Sequence, residues 1–100
     1  MLISQTYYKI QRKIINNEQH LIETEETLKL YKDKIISAND KFELSDIHDM
    51  SYRSIASTTG LLYLHTIRGV YPFQIKTNPS NFIRMYQKLK AMNGQDPNNI

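Results

Sequence analysis

Residues 60–92, GLLYLHTIRGVYPFQIKTNPSNFIRMYQKLKAM, decide the fold. Leu61 to Thr66 is apolar on both faces at first, as expected of a strand covered on both sides. Thr66-Ile67-Arg68-Gly69 reads as a turn in which Gly69 can take the left-handed conformation that short hairpin loops often require. The returning strand places Tyr71, Phe73 and Ile75 on one face and Val70, Gln74 and Lys76 on the other. Pro72 cannot donate a ladder hydrogen bond, so this strand is expected at a sheet edge or bulged there. A helix follows, from about Pro79 to Ala91, with Asn78 suited to the cap and Pro79 to the first helical position. Phe82, Ile83, Tyr86 and Leu89, then Ala91 or Met92, form its apolar stripe. The basic residues towards its C-terminal end complement the helix dipole, and Gly94 is placed to end it.

Moving towards the N-terminus, short strands continue. Ser51 to Ile55 reads as a strand, ended by Ser57-Thr58-Thr59-Gly60. Ser45 to Asp49 suits one helical turn capped by Ser45, with Ile47 and Met50 plugging the end of a sheet or barrel. Thr27–Tyr31 alternates at a period of two, Lys34–Ser37 reads as the returning strand and Lys41–Leu44 as the next, with turns at Lys32-Asp33 and Ala38-Asn39-Asp40. Leu28, Leu30, Phe42 and Leu44 point inward. Such close turns leave no room for crossover helices, so the pattern is an antiparallel meander.

Residues 3–15 support two readings. Ile3, Tyr7, Ile10 and Ile14 recur at helical spacing, and helix is the favoured reading. The tyrosines and isoleucines also suit a strand, with Asn16-Asn17 as its turn.

The composition narrows the classes. One hundred residues make one domain, with no cysteine for crosslinks, thiolate chemistry or a Cys-based zinc site. The N-terminus lacks the layout of a signal peptide, and no apolar run approaches the roughly 20 residues of a membrane span. A soluble, cytoplasmic protein is expected. The net charge of +3 is unevenly spread: residues 1–17 hold Lys9, Arg12 and Lys13 with no acid, and residues 18–50 hold nine of the ten acids. Lys9, Arg12 and Lys13 are therefore candidate contacts to an anionic surface, against the plainer reading of a solvated face.

No catalytic pattern emerges. His20, His48 and His65 fall on separate elements without metal-site spacing, and His65 is expected to sit hydrogen-bonded on its strand. Glu23, Glu25 and Glu26 read as a solvated cluster, since no calcium-loop pattern follows. Ser54 and Ser57 have no identifiable base, and the three glycines form no phosphate loop. No enzyme activity, cofactor or metal is expected. Tyrosines interleaved with basic residues at 7–13 and 83–90 admit nucleic-acid binding, but Tyr86 falls on the apolar stripe, which disfavours it.

Three stretches carry a family resemblance: Asp46-Ile47-His48-Asp49-Met50-Ser51-Tyr52-Arg53; Gly60-Leu61-Leu62-Tyr63-Leu64-His65-Thr66 with Gly69-Val70-Tyr71; and Asn78-Pro79 with Phe82-Ile83. Together with the element order, they resemble small pleckstrin-homology-like (PH-like) proteins of Firmicutes, in particular the group that includes the sublancin immunity protein. The resemblance covers about residues 20–92. It implies an α+β fold: a PH-like antiparallel β-barrel or sandwich of six or seven strands, partly closed, with one C-terminal capping helix. It implies no catalysis and transfers no site residue.

The organisation expected is an N-terminal segment over 1–18, helix or first strand, a PH-like domain over 19–93 and a flexible tail over 94–100. The function expected is non-catalytic binding, as an adaptor for a protein or peptide partner in the cytoplasm or at the membrane face, with a bacteriocin-immunity-like role. Peripheral anionic-lipid binding and a nucleic-acid-associated regulator are the alternatives.

Overall fold

The computed structural model describes residues 1–93. The expected tail over 94–100 and the helix stop at Gly94 lie outside the described residues. Seven strands, β1 (Ile3–Ile15), β2 (Glu18–Leu30), β3 (Lys34–Ile36), β4 (Lys41–Glu43), β5 (Ile47–Ala56), β6 (Thr59–Thr66) and β7 (Gly69–Ile75), precede one helix, α1 (Ser80–Asn93). The strands form one antiparallel sheet in the order β4-β3-β2-β1-β7-β6-β5. This is an α+β fold. No helix among the described residues is long and apolar enough to cross a membrane.

Residues 3–15 are a strand, which corrects the favoured helical reading. Asn16 and Asn17 both take positive φ, 51° and 67°, as a two-residue type I′ hairpin loop requires. That loop brings β2 back beside β1 in a ladder running from Ile3↔Leu30 to Ile15↔Glu18. A helix would forgo those inter-strand bonds, and β-branched isoleucines suit a strand. The apparent stripe is thereby split. Ile3 and Tyr7 face the core, whereas Ile10 and Ile14 face the other way into solvent.

The sheet is open rather than partly closed, with β4 and β5 as its edges. A 3₁₀ turn at Leu44–Asp46 joins these two edge strands in sequence, so the sheet curls to bring its ends near each other. Arg68, on the β6–β7 turn, donates to the Lys41 carbonyl at 3.3 Å and lies over the Phe42 ring. The turn is shorter than expected, and Ser45 is not its cap: the flanking residue is Glu43, without a side-chain cap bond. The reason is the Ile47↔Thr66 rung, which already draws Ile47 into β5, with a bulge before Asp49.

The core lies inside the curl. Leu28, Leu30, Ile35, Phe42, Leu62 and Leu64 are almost wholly excluded from solvent, and Phe82, Tyr86 and Leu89 cover them from α1. Ile47 and Met50 are buried as expected. On β6 one face is buried while Leu61, Tyr63 and His65 on the other are half-buried. The helix starts one residue later than expected. The Ile83 N–H donates to the Pro79 carbonyl at 2.9 Å, which makes Pro79 the cap position. Asn78 Oδ1 accepts from the Ser80 N–H at 2.8 Å just before it. The buried stripe ends at Leu89, because Ala91 and Met92 are exposed.

Candidate functional site

The seam between β1 and β7 is where the sheet is least complete. The two strands meet at a single rung, Tyr8↔Gln74, whereas β6 and β7 pair continuously from Gly60↔Ile75 to Thr66↔Gly69. Pro72 is the physical reason. It sits opposite Tyr63 inside an unbroken β6–β7 ladder, so that pair must be one that exchanges no hydrogen bonds. The nitrogen of Pro72 therefore faces β1 and has no proton to give it. β7 is an internal strand, not the sheet edge expected, and the sheet accommodates its proline by leaving the seam open.

Past the rung the strands diverge into a cleft of about 400 Å³. Tyr7, Tyr8, Lys9 and Ile10 line one wall and Tyr71, Pro72, Phe73 and Gln74 the other, with Ser37, Asn39 and Asp40 at the rim. The floor is aromatic. Tyr7 meets Phe73 edge-on with ring centroids 4.9 Å apart, and Phe42 meets Tyr71 likewise at 4.9 Å. The Ala38 N–H donates to Tyr7 Oη at 3.0 Å, tying the β3–β4 turn to the wall. Ser37 and Asp40 stiffen that turn: the Ser37 N–H donates to the Asp40 carbonyl at 2.8 Å, and Ser37 Oγ accepts from the Asp40 N–H at 3.0 Å. An apolar floor with a few fixed polar groups at its rim suits an extended segment or small apolar side chains.

Beyond the cleft β1 and β2 continue as a two-stranded ribbon, which gives the molecule its long axis of 62 Å against 27 and 23 Å. Ile10, Ile14 and Leu21 are 52%, 79% and 68% exposed on the outer face of the ribbon. At its base Lys76 Nζ donates to Glu23 Oε1 at 2.7 Å and lies 4.3 Å from the centroid of the Tyr8 ring. The hydrogen bond to Glu23 raises the Lys76 ammonium above its usual range.

The three candidate anionic-surface contacts are not brought onto one face. Lys9 and Lys13 share the inner face of β1, Lys9 at the mouth of the cleft, and Arg12 points to the outer face. None of the three has an ion-pair partner among the described residues. The acids at Glu23 and Glu25 face outward and Glu26 inward, so they do not converge. No group of three or more potential metal ligands occurs among the described residues.

One pairing was not legible in the sequence. Ser51 Oγ and His65 Nε2 lie 2.8 Å apart on the outer face of β5 and β6, with Asp49 opposite His65 in the ladder. A hydroxyl and an imidazole at this distance are the first two members of a nucleophile–base arrangement. The third is missing from the geometry: no hydrogen bond or ion pair joins Asp49 to His65 among the described residues. Neither Ser51 nor His65 lines the cleft. The hairpin register that joins them is set by the irregularity between Ser54 and Ala56, for which the sequence carries no signal. Ser54 instead donates to the Ala56 carbonyl at 3.3 Å. Tyr86, weighed as a stacking platform, is buried and donates to the Ile47 carbonyl at 3.3 Å. Burial, then the Asp49 carboxylate, push its hydroxyl up to about 12.

No protein-family model matches the chain, and a search of curated proteins finds no match either.

Proposed function

We propose that the chain is a non-catalytic binding module of PH-like architecture, an adaptor that holds a segment of a protein partner in the β1–β7 cleft. The observation that carries this reading is the open seam: a preformed aromatic cleft beside a strand whose edge is unpaired. The PH-like element is supported by the element order, with strands β1–β4 and β5–β7 as two halves joined at one rung and a single helix closing the chain. A bacteriocin-immunity-like adaptor in the cytoplasm is the most specific form of this reading. The absence of catalysis is supported by the Ser51–His65 pair lying on a sheet face where, among the described residues, no carboxylate hydrogen-bonds the imidazole to orient it.

Photo-crosslinking in cells tests the reading. A benzophenone side chain placed at Ile10 or Tyr71 should trap one discrete protein species, and the same group at exposed His48 should not. Equal capture from all three positions, or none from the cleft, sinks it. A fluorophosphonate probe should leave Ser51 unlabelled; stoichiometric labelling there would make the protein a serine enzyme.

A second reading, peripheral binding to anionic lipid, is favoured by the exposed Ile10 and Ile14 beside Lys9, Arg12 and Lys13 on a projecting ribbon. Pelleting with phosphatidylserine vesicles at low salt, lost at high salt, would select it.

A further inference from the structure

β1 has β2 along one side for its whole length, and on the other side only the Tyr8↔Gln74 rung. The hairpin loop fixes which backbone groups point where. Ile15 and Glu18 flank the two-residue loop as a hydrogen-bonded pair, so odd-numbered residues of β1 bond β2. Even-numbered residues present their N–H and C=O on the opposite side. Tyr8 directs its pair at Gln74, while Ile10, Arg12 and Ile14 direct theirs at no strand among the described residues. A row of unpaired N–H and C=O groups in extended conformation is a template for one more strand.

The charge of this edge selects the strand it takes. Residues 1–17 contain no Asp or Glu, and Lys9, Arg12 and Lys13 are not ion-paired among the described residues. The neighbouring strand β2 holds Glu18, Glu23, Glu25 and Glu26, so the ribbon has one basic side and one acidic side. We propose that the bare edge of β1, Ile10 to Ile14, takes an extended acidic segment of a partner protein by strand addition, its end entering the β1–β7 cleft. This rests on the binding reading above and gives it a mode and a partner chemistry.

Side-chain alternation then specifies the segment. Directly opposed residues in an antiparallel pair share a face. Acids belong opposite Lys9 and Lys13 on the inner face and opposite Arg12 on the outer face. Apolar residues belong opposite Ile10 and Ile14, which are otherwise exposed. Read in its own direction, antiparallel to β1, the segment has the pattern Val-Glu-Glu-Thr-Val-Glu.

The test uses that acetylated peptide amide, titrated at millimolar concentration into the isotope-labelled full chain and followed by amide chemical shifts. Shift changes should centre on Ile10, Arg12 and Ile14 and the cleft wall, and binding should weaken with salt. Arg12→Glu should weaken it about tenfold, as reversal of a facing charge does. Ile14→Pro removes an edge N–H that the fold does not use, so it should keep the native spectrum and lose binding. Only alternate peptide amides face β1, so N-methylation of one alternate set should abolish binding and of the other leave it intact. No shift changes, changes centred elsewhere, equal tolerance of both N-methylated sets, or undiminished binding when each Glu of the peptide is Gln would each overturn the inference. If cleft crosslinks persist while the peptide fails, the binding reading stands and strand addition falls. Sedimentation of the protein alone should show a monomer; salt-sensitive self-association that protects the Ile10 and Ile14 amides would put the acidic side of a second copy there and overturn the proposal.

Discussion

Tyr8 and Gln74 form the one backbone rung that joins the β1–β4 half of the sheet to the β5–β7 half. Two hydrogen bonds contribute about 1 kcal/mol each, too little to fix the angle between two half-sheets. The side chains beneath the rung, with α1 across both halves, supply the rest.

Phe73 is the seam residue under most demand, edge-on to Tyr7 at 4.9 Å and to Phe42 at 6.5 Å. Phe73→Ala should destabilise the fold by about 3–5 kcal/mol. Urea unfolding followed by circular dichroism checks this, and a loss under 1 kcal/mol would mean the two halves do not depend on this contact.

Gly60 lies under Tyr52. A Cβ on Gly60 would stand 2.5 Å from Tyr52 Cε1 and 2.9 Å from the Arg53 carbonyl oxygen. The half-exposed ring can swing aside, but the backbone carbonyl cannot. Gly60→Ala should cost about 1–3 kcal/mol. In a double-mutant cycle Tyr52→Ala should recover part of that cost and leave the carbonyl's share; full recovery would show that the ring alone was in the way.

Tyr86 makes stability sensitive to alkali. Its hydroxyl is pushed up to about 12 in the folded chain from an ordinary value of 10.0. The folded state therefore holds this proton more tightly than the unfolded state. Ionising this hydroxyl costs the folded chain stability: nothing is lost below pH 10, and progressively more as pH rises towards 12. Tyr86→Phe should flatten the decline in unfolding free energy over that window while changing neutral-pH stability by about 1 kcal/mol or less. An unchanged alkaline slope in the variant would assign the decline to other groups.

Leu62 and Phe82 test the core, at 0% and 1% exposure, and Met92 tests its limit at 64%. Leu62→Ala and Phe82→Ala should each cost about 2–5 kcal/mol. Met92→Ala should stay within about 0.5 kcal/mol, because the stripe expected to reach it ends at Leu89. A Met92 effect as large as the others would put the end of α1 back in the core.

The sequence by itself determined the elements whose signals are local. Alternation placed β4 and β7, an apolar run placed β6, the close polar turns on either side placed β3, and Asn78-Pro79 with the spacing of Phe82, Tyr86 and Leu89 placed the helix to within a residue or two. Turn chemistry served equally well at Gly69, whose φ of 126° is one that side chains disfavour. What only the tertiary structure decided was pairing. Residues 3–15 satisfy both a period of 3.6 and a strand composition, and the choice fell to β2, whose backbone groups bond them only if they are extended. The single rung at Tyr8↔Gln74 and the meeting of Ser51 with His65 follow from register, a property of two strands rather than of either sequence. Pro72 was the one local clue to the cleft. Its missing proton was legible in the sequence, but which neighbouring strand would go without it was settled only when the β6–β7 ladder closed around it.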